Sequence, residues 1–175
     1  MTFICFFKSS LNTRRSEKRQ GAFNKTIMIE IRKVDKKEKA EAIKTACDIF
    51  FEEQDIPKEL TDIKTELSPV WWGAFSDKEL VGTVAAYKKD GVRHMGRLTV
   101  RESMRGRGLA TELVKTVLKE LFENGEPEVR LDAREATKRI ILSFGGEVTG
   151  EEYRFFKSTC VPVRITKKQF ETNNR

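Results

Sequence analysis

The sequence is poor in residues that bind metals or form cross-links, because its 175 residues include three cysteines and one histidine. Cys5, Cys47 and Cys160 lie far apart with no CxxC pair, which excludes a zinc site of ordinary spacing and predicts no metal. Their isolation also argues against a disulfide framework and favours a reducing, cytoplasmic setting. With four prolines and 38% apolar residues, the chain is neither collagen-like nor disordered overall. We expect one globular domain.

No apolar run is long enough to cross a membrane, so we expect no membrane partner. Residues 1–27 contain six basic residues and one acidic residue, and so carry most of the net charge of +7. We predict that these residues form a disordered basic extension. They are not native if Met28, which precedes the first strand-like stretch, is the true start. The nearly neutral remainder argues against a nucleic-acid partner, although a nucleic-acid-associated protein that uses the basic arm remains an alternative function.

The order of the elements after Met28 follows from apolar periodicity. Strands are predicted before and after two long helices, which favours an α+β fold with a mixed sheet over a repeating βαβ fold. The third helix is predicted to begin within a glycine-rich turn and to continue through Phe122. The predicted strands are 29–34, three within 71–100, 129–133, 148–156 and 160–165, and the other predicted helices are 37–54, 58–67 and 135–144.

The segment RGRGLA, residues 105–110, carries the clearest chemical signal. A strand that ends at Val100 runs into two glycines at the first turn of an apolar-striped helix. Free N–H groups, the positive end of the helix dipole and two arginines together indicate a site for an anion such as pyrophosphate. The segment fits neither GxxxxGK[ST] nor GxGxxG. A plain tight turn with solvated arginines is the alternative interpretation.

Arg105, Gly108 and Ala110 satisfy the pattern [RQ]xxGx[GA], and the preceding strand carries Leu98 and Val100. This arrangement closely resembles the coenzyme A loop of the GNAT N-acetyltransferase superfamily, and the wider resemblance covers residues 29–168, in a small stand-alone bacterial branch. It implies a single GNAT domain at 28–168, with a mixed, mostly antiparallel sheet flanked by helices, followed by a C-terminal tail at 169–175. It also implies that the last three residues of the strand bind the pantetheine arm, next to a β-bulge that splays the strand from its neighbour around Leu131. The implied binding residues are Leu98, Thr99 and Val100 for the arm and Arg105, Gly106, Arg107, Gly108, Leu109 and Ala110 for the pyrophosphate.

The resemblance implies an acyl-CoA-dependent N-acyltransferase that moves acetyl from acetyl-CoA, its co-substrate, to a primary amine by direct attack. A backbone N–H near Val100 would stabilise the oxyanion. The acceptor, a small-molecule or protein amine, is not defined by the sequence, and a homodimer is compatible with it. The tyrosine that often serves as general acid in this family aligns with Ile141, which cannot donate a proton. A catalytically weak acyl-CoA binding or sensing module is therefore the alternative.

Three other side chains are candidates for catalysis. His94, Tyr153 and Glu151 could exchange a proton with the amine or the leaving sulfur. Each has a structural interpretation beside the functional one: His94 as a half-buried strand residue, Glu151 as a solvent-facing acid and Tyr153 as a strand residue beyond the helix.

Overall fold

A computed structural model describes residues 3–7, 27–61 and 63–174. Within these ranges, nine strands and five α-helices form an α+β fold. The strands are β1 (Phe3–Phe7), β2 (Ile27–Lys33), β3 (Val70–Ser76), β4 (Glu79–Lys89), β5 (Val92–Val100), β6 (Glu128–Ala133), β7 (Glu147–Val148), β8 (Tyr153–Phe155) and β9 (Ser158–Thr166). The helices are α1 (Lys39–Gln54), α2 (Lys58–Thr61), α3 (Leu109–Glu123), α4 (Glu135–Ser143) and α5 (Lys167–Asn173).

The strands form one sheet in the order β1-β2-β3-β4-β5-β6-β9-β7, with β8 paired to β9. Among the described strands, β5 and β6 are the parallel pair, and the other pairs are antiparallel. The expectation of a single α+β domain with a mixed, mostly antiparallel sheet flanked by helices is confirmed.

The sheet is buried on both faces by amphipathic helices. Leu113, Val117 and Leu118 on α3 are fully buried against one face, where they pack with Trp72 of β3. The other face packs Trp71 against α1, because adjacent residues of a strand point to opposite sides. Burying each such large apolar side chain contributes about 1.5–3 kcal/mol.

Two of the predicted elements are interrupted. The helix expected over 58–67 ends at Thr61, and a separate 3₁₀ turn spans Thr65–Leu67. The carbonyls of Leu60 and Thr61 accept hydrogen bonds from the Arg97 side chain, so they are not free to continue the helix.

The strand expected over 148–156 is divided into β7 and β8. Thr149 donates its backbone N–H to the Pro162 carbonyl on β9. Proline has no N–H to donate in return, so the ladder cannot continue through this position.

The chain termini also differ from the sequence expectations. Residues 3–7, assigned to a disordered extension, form the edge strand β1 beside β2, which corrects the expectation of disorder for them. Ile27, the last residue of the proposed basic arm, is the first residue of β2. Residues 8–26 of the arm lie outside the described residues. The segment expected as a tail forms α5, which begins with a capping box between Thr166 and Gln169 and buries Phe170.

Candidate active site

The site begins where β5 and β6 separate. Their parallel pairing, within the described residues, is limited to Arg93 with Val129 and His94 with Arg130. Beyond His94 the two strands diverge, and the side of β5 that faces β6 is left without a ladder partner there. The resemblance to the GNAT superfamily implied such a separation of the two strands near Leu131.

A bulge in β5 causes the divergence. The register between β4 and β5 shifts between Thr83 and Ala85, so that β5 contains one extra residue. Arg97 lies at this extra residue with a φ of 57°, which is unusual for a residue with a side chain. The buried hydroxyls of Thr83 and Thr99 lie 2.9 Å apart across the bulge, and Thr83 also bonds the Arg97 carbonyl at 3.2 Å.

The Arg97 side chain connects this bulge to α2. Its Nη2 donates to the carbonyl of Leu60 at 2.9 Å, and its Nε donates to the carbonyl of Thr61. Because both carbonyls lie on α2, the guanidinium holds that short helix beside the opening.

The glycine-rich loop forms the far end of the site. Gly106 and Gly108 have φ values of 72° and 75°, in the left-handed region that favours glycine. Gly108 is the N-cap of α3, and no side chain of the described residues caps the helix. The N–H groups of the first turn therefore face outward with the positive end of the dipole, as an anion requires.

The side chains of the two loop arginines lie in different surroundings. Arg105 donates from Nε to the Val100 carbonyl at 2.9 Å and from Nη2 to Glu53 Oε1 at 2.6 Å. Its side chain thus ties the loop to the end of β5 and to α1. Arg107 is exposed and is not among the residues that line the cleft.

A cleft of about 540 Å³ connects the loop with the opening between the strands. It is bounded by the ends of α1 and α2, by β5 and β6, by the first turns of α3 and α4, and by the β8–β9 hairpin. Nine of the predicted site residues line it: Leu98, Thr99, Val100, Arg105, Gly106, Gly108, Leu109, Ala110 and Tyr153.

Tyr153 is the predicted catalytic residue that the fold brings into the cleft. Burial, with the nearby charge and hydrogen bond of Asp132, raises the pKa of Tyr153 to about 12. The phenol therefore stays protonated at neutral pH. Asp132 itself was missed by sequence reasoning, although it is an acidic residue between the buried Leu131 and Ala133 of a short strand.

The other two catalytic candidates are not among the residues that line the cleft. His94 stacks on Tyr87, which lines the cleft, with ring centroids 5.7 Å apart. Burial lowers the pKa of His94, so the imidazole is neutral at pH 7. Glu151 is exposed.

Ile141 has no access to the cleft. Its side chain is fully buried on the core side of α4, whereas the preceding residue, Ile140, lines the cleft. Both side chains are aliphatic, so neither supplies a proton donor from α4 at this point.

Cys160 lies opposite Tyr153 in the β8–β9 ladder and lines the cleft. Burial is the main cause that raises the pKa of its thiol. A thiol is a poor nucleophile when it is kept protonated, so this residue packs rather than attacks.

The described residues contain neither a candidate metal site nor a membrane-spanning helix. No group of three or more His, Cys, Asp or Glu side chains there could hold a metal ion. No helix in the described part of the chain is long and apolar enough to span a membrane.

The separated parallel strands, the uncapped helix start and the cleft between them define an architecture typical of acyl-CoA acyltransferases. The acetyltransferase (GNAT) family matches residues 37–141, and the chain belongs to this family. A search of curated proteins by sequence found no match.

Solved structures share the fold at low sequence identity. The Escherichia coli protein ElaA is 21% identical, with a TM-score of 0.69 over 78% of this chain and 99% of its own. A putative N-acetyltransferase from Lactobacillus plantarum is 17% identical, with a TM-score of 0.69 over 79% and 97% of the two chains. The aminoglycoside acetyltransferase AAC(6')-Ib, solved with coenzyme A, is 18% identical, with a TM-score of 0.63 over 84% and 99%.

Proposed function

We propose that the protein is an acyl-CoA-dependent N-acyltransferase that transfers an acetyl group from acetyl-CoA to a primary amine. The observation that carries the proposal is the continuous cleft from the uncapped start of α3 to the opening between β5 and β6. Membership of the GNAT family supports the reaction class. The fold does not define the acceptor, so the amine is a small molecule or a side chain of a protein.

The residues of this cleft fit coenzyme A in two respects. The first-turn amides of α3 and the left-handed Gly108 offer a phosphate close access to the backbone. The free side of β5 after His94 offers unpaired backbone groups to an extended amide-containing arm. Residues 105–110 would hold the pyrophosphate, and Leu98, Thr99 and Val100 would hold the pantetheine.

When bound, acetyl-CoA supplies an activated thioester. The chain holds the reacting amine beside it, which removes much of the entropic barrier to direct attack. A backbone N–H near Val100 stabilises the negative charge that develops on the acyl oxygen. Asp132 accepts a proton on the amine side, and Tyr153 donates one to the departing sulfur.

A thiol-release assay tests this proposal. The full chain is incubated with acetyl-CoA and a panel of primary amines, and free coenzyme A is followed over time. Release that depends on both the enzyme and one of the amines is expected. If coenzyme A does not bind at all, the proposal is wrong.

A charged substitution locates the coenzyme on the protein. Ala110→Glu places a carboxylate at the first turn of α3, where the proposed anion lies, and should weaken coenzyme A binding at least tenfold. Lys115→Glu, further along the same helix and exposed, makes a larger change in net charge and should leave the affinity within about twofold. Equal loss in both variants would point to a general charge effect and contradict the assignment.

A catalytically weak acyl-CoA sensor is the second candidate, because α4 presents Ile140 rather than a phenol to the cleft. The same assay separates the two functions. Tight coenzyme binding without thiol release for any amine would favour the sensor.

A further inference from the structure

Arg134 lines the cleft at the junction of β6 and α4, and the proposed reaction gives it no role. Its Nη2 is buried and has no hydrogen-bond partner among the described residues. A buried donor on a charged group is costly when it is left unsatisfied. The position of Nη2 therefore points to a negatively charged group of a ligand.

No carboxylate of the described chain neutralises Arg134. The adjacent acid, Glu135, pairs instead with Lys138 at 2.5 Å and with Arg139 at 2.9 Å on its own helix. Asp132, two residues earlier, forms no ion pair with Arg134, and its charge helps to raise the pKa of Tyr153. The positive charge of Arg134 is thus available to the cleft.

Strand alternation places Arg134 on the same face of the sheet as Asp132. Leu131 and Ala133 point into the core beneath α3 and α4. Arg134 keeps extended backbone angles, with φ of −74° and ψ of 164°, so the alternation continues and its side chain lies on the opposite face. Its charge is also felt at Cys160, where it opposes the effect of burial on the thiol pKa.

This position is separate from the phosphate end of the cleft. The first turn of α3 follows β5, whereas Arg134 follows β6, on the other side of the opening between the two strands. Arg134 therefore lies near Asp132, which accepts the proton of the amine in the proposed reaction.

A second unsatisfied atom lies in the same cleft. The side-chain carbonyl oxygen of Gln54, at the end of α1, is buried without a hydrogen-bond partner among the described residues. The cleft thus offers a charged donor and a neutral acceptor, which suits a ligand that carries both an anion and N–H groups.

We propose that the acceptor is an amino acid, or a compound with a carboxylate close to its amine, and that Arg134 binds this carboxylate. The inference rests on the proposed function. The planar guanidinium suits a carboxylate because two parallel N–H bonds can form. Gln54 accepts from the N–H groups of the same ligand, and Asp132 faces its amine.

A binding experiment tests the assignment without needing turnover. N-acetyl derivatives of glycine, leucine, glutamate and lysine, and the matching amides, are titrated calorimetrically into the full chain saturated with coenzyme A. We expect at least one acid to bind ten times or more tightly than its amide. Arg134→Gln should abolish that preference, and Arg134→Lys should restore part of it.

Arg139→Gln is the matched control, since Arg139 lies on the same helix with its side chain mostly exposed. It should preserve the preference for the acid. Absence of binding by any acid, equal binding of acids and amides, or a preference that survives Arg134→Gln would overturn the proposal.

Two further measurements test whether Arg134 binds an anion of the coenzyme or of the acyl group instead of the acceptor carboxylate. Coenzyme A affinity is measured in Arg134→Gln, and a tenfold loss would assign the arginine to the coenzyme. Binding of succinyl-CoA is compared with that of acetyl-CoA, and a preference for succinyl-CoA that depends on Arg134 would assign it to the acyl group. Either result overturns the proposal, whereas failure of thiol release with intact acid binding would reject only the proposed catalysis.

Discussion

At the scale of single residues, Ile140 and Ile141 show how one position along a helix separates the cleft from the core. Ile141 is fully buried and Ile140 lines the cleft. A phenol introduced at one position would therefore meet an entirely different environment from a phenol at the other.

Ile141→Tyr should destabilise the protein by roughly 2 kcal/mol or more. The larger ring overpacks the core, and its hydroxyl is buried there without a designed partner. Ile140→Tyr should lose much less stability, because the tyrosine side chain can extend into the cleft. Urea unfolding of the two variants checks this, and equal stability would contradict the assignment of the two faces.

Tyr153 is the phenol that the fold itself brings to the cleft. Tyr153→Phe removes the O–H without changing the ring, and we expect kcat to fall about 100-fold while coenzyme A affinity changes less than twofold. Glu151→Gln, two residues away and exposed, should leave kcat unchanged. Steady-state kinetics of both variants test whether Tyr153 is the proton donor. An unchanged kcat in Tyr153→Phe would contradict this role and indicate that water protonates the sulfur.

His94 gives a prediction for pH dependence. Its pKa is lowered in the folded protein by burial and by the charge of Lys89, so below about pH 6.5 the unfolded chain binds the proton more readily. This residue therefore makes the free energy of unfolding decrease as the pH falls below that value. His94→Gln should reduce the slope in urea titrations between pH 7.5 and 5.5, and an unchanged slope would show that other groups dominate.

At the scale of elements, the bulge in β5 is the feature that creates the opening. Arg97 both occupies the strained backbone position and holds α2 through two carbonyls. The sequence around it, Gly96 to Val100, predicts a strand correctly but contains nothing that identifies the extra residue.

Arg97→Ala should loosen α2. Without the guanidinium, the backbone amides of residues 58–61 should exchange with deuterium faster, by about tenfold if one charge-assisted bond of about 1.5 kcal/mol is lost. Arg93→Ala is the control on the same strand, where the side chain pairs with Glu126 at 2.7 Å instead. Equal exchange in the two variants would mean that α2 is held by other contacts.

The elements that could be predicted from the sequence are those with strong local signals. The apolar stripe of α3 and its glycine-rich start predicted that helix correctly. The interruptions at Thr61 and Pro162 could not be predicted, because each depends on a partner from a distant strand.

The site shows the same division. The glycine-rich loop, the proposed coenzyme loop, is a local pattern that the sequence shows directly, but the side chains of Asp132 and Arg134 line the cleft only because β6 separates from β5. The one sequence feature that could have indicated them is a charged residue on each side of the buried Ala133. The neighbours of these two side chains depend on the order of the strands in the sheet, which the local sequence around them does not show.

At the scale of the whole molecule, two separate parts of the chain contact the end of α1 beside the cleft. Glu53 pairs with Arg105 of the glycine loop at 2.6 Å, and Asp55 pairs with Lys157 of the β8–β9 turn at 2.7 Å. Such exposed pairs contribute little to stability. Their effect is to position Gln54, which lies between them and faces the cleft.

A crystal structure of the full chain with coenzyme A shows directly whether the opening between β5 and β6 is the coenzyme site. We expect pyrophosphate on the amides of residues 105–110 and the pantetheine arm between residues 96–100 and 131–133. Coenzyme A bound elsewhere, or an opening that stays empty at saturating coenzyme, would contradict it.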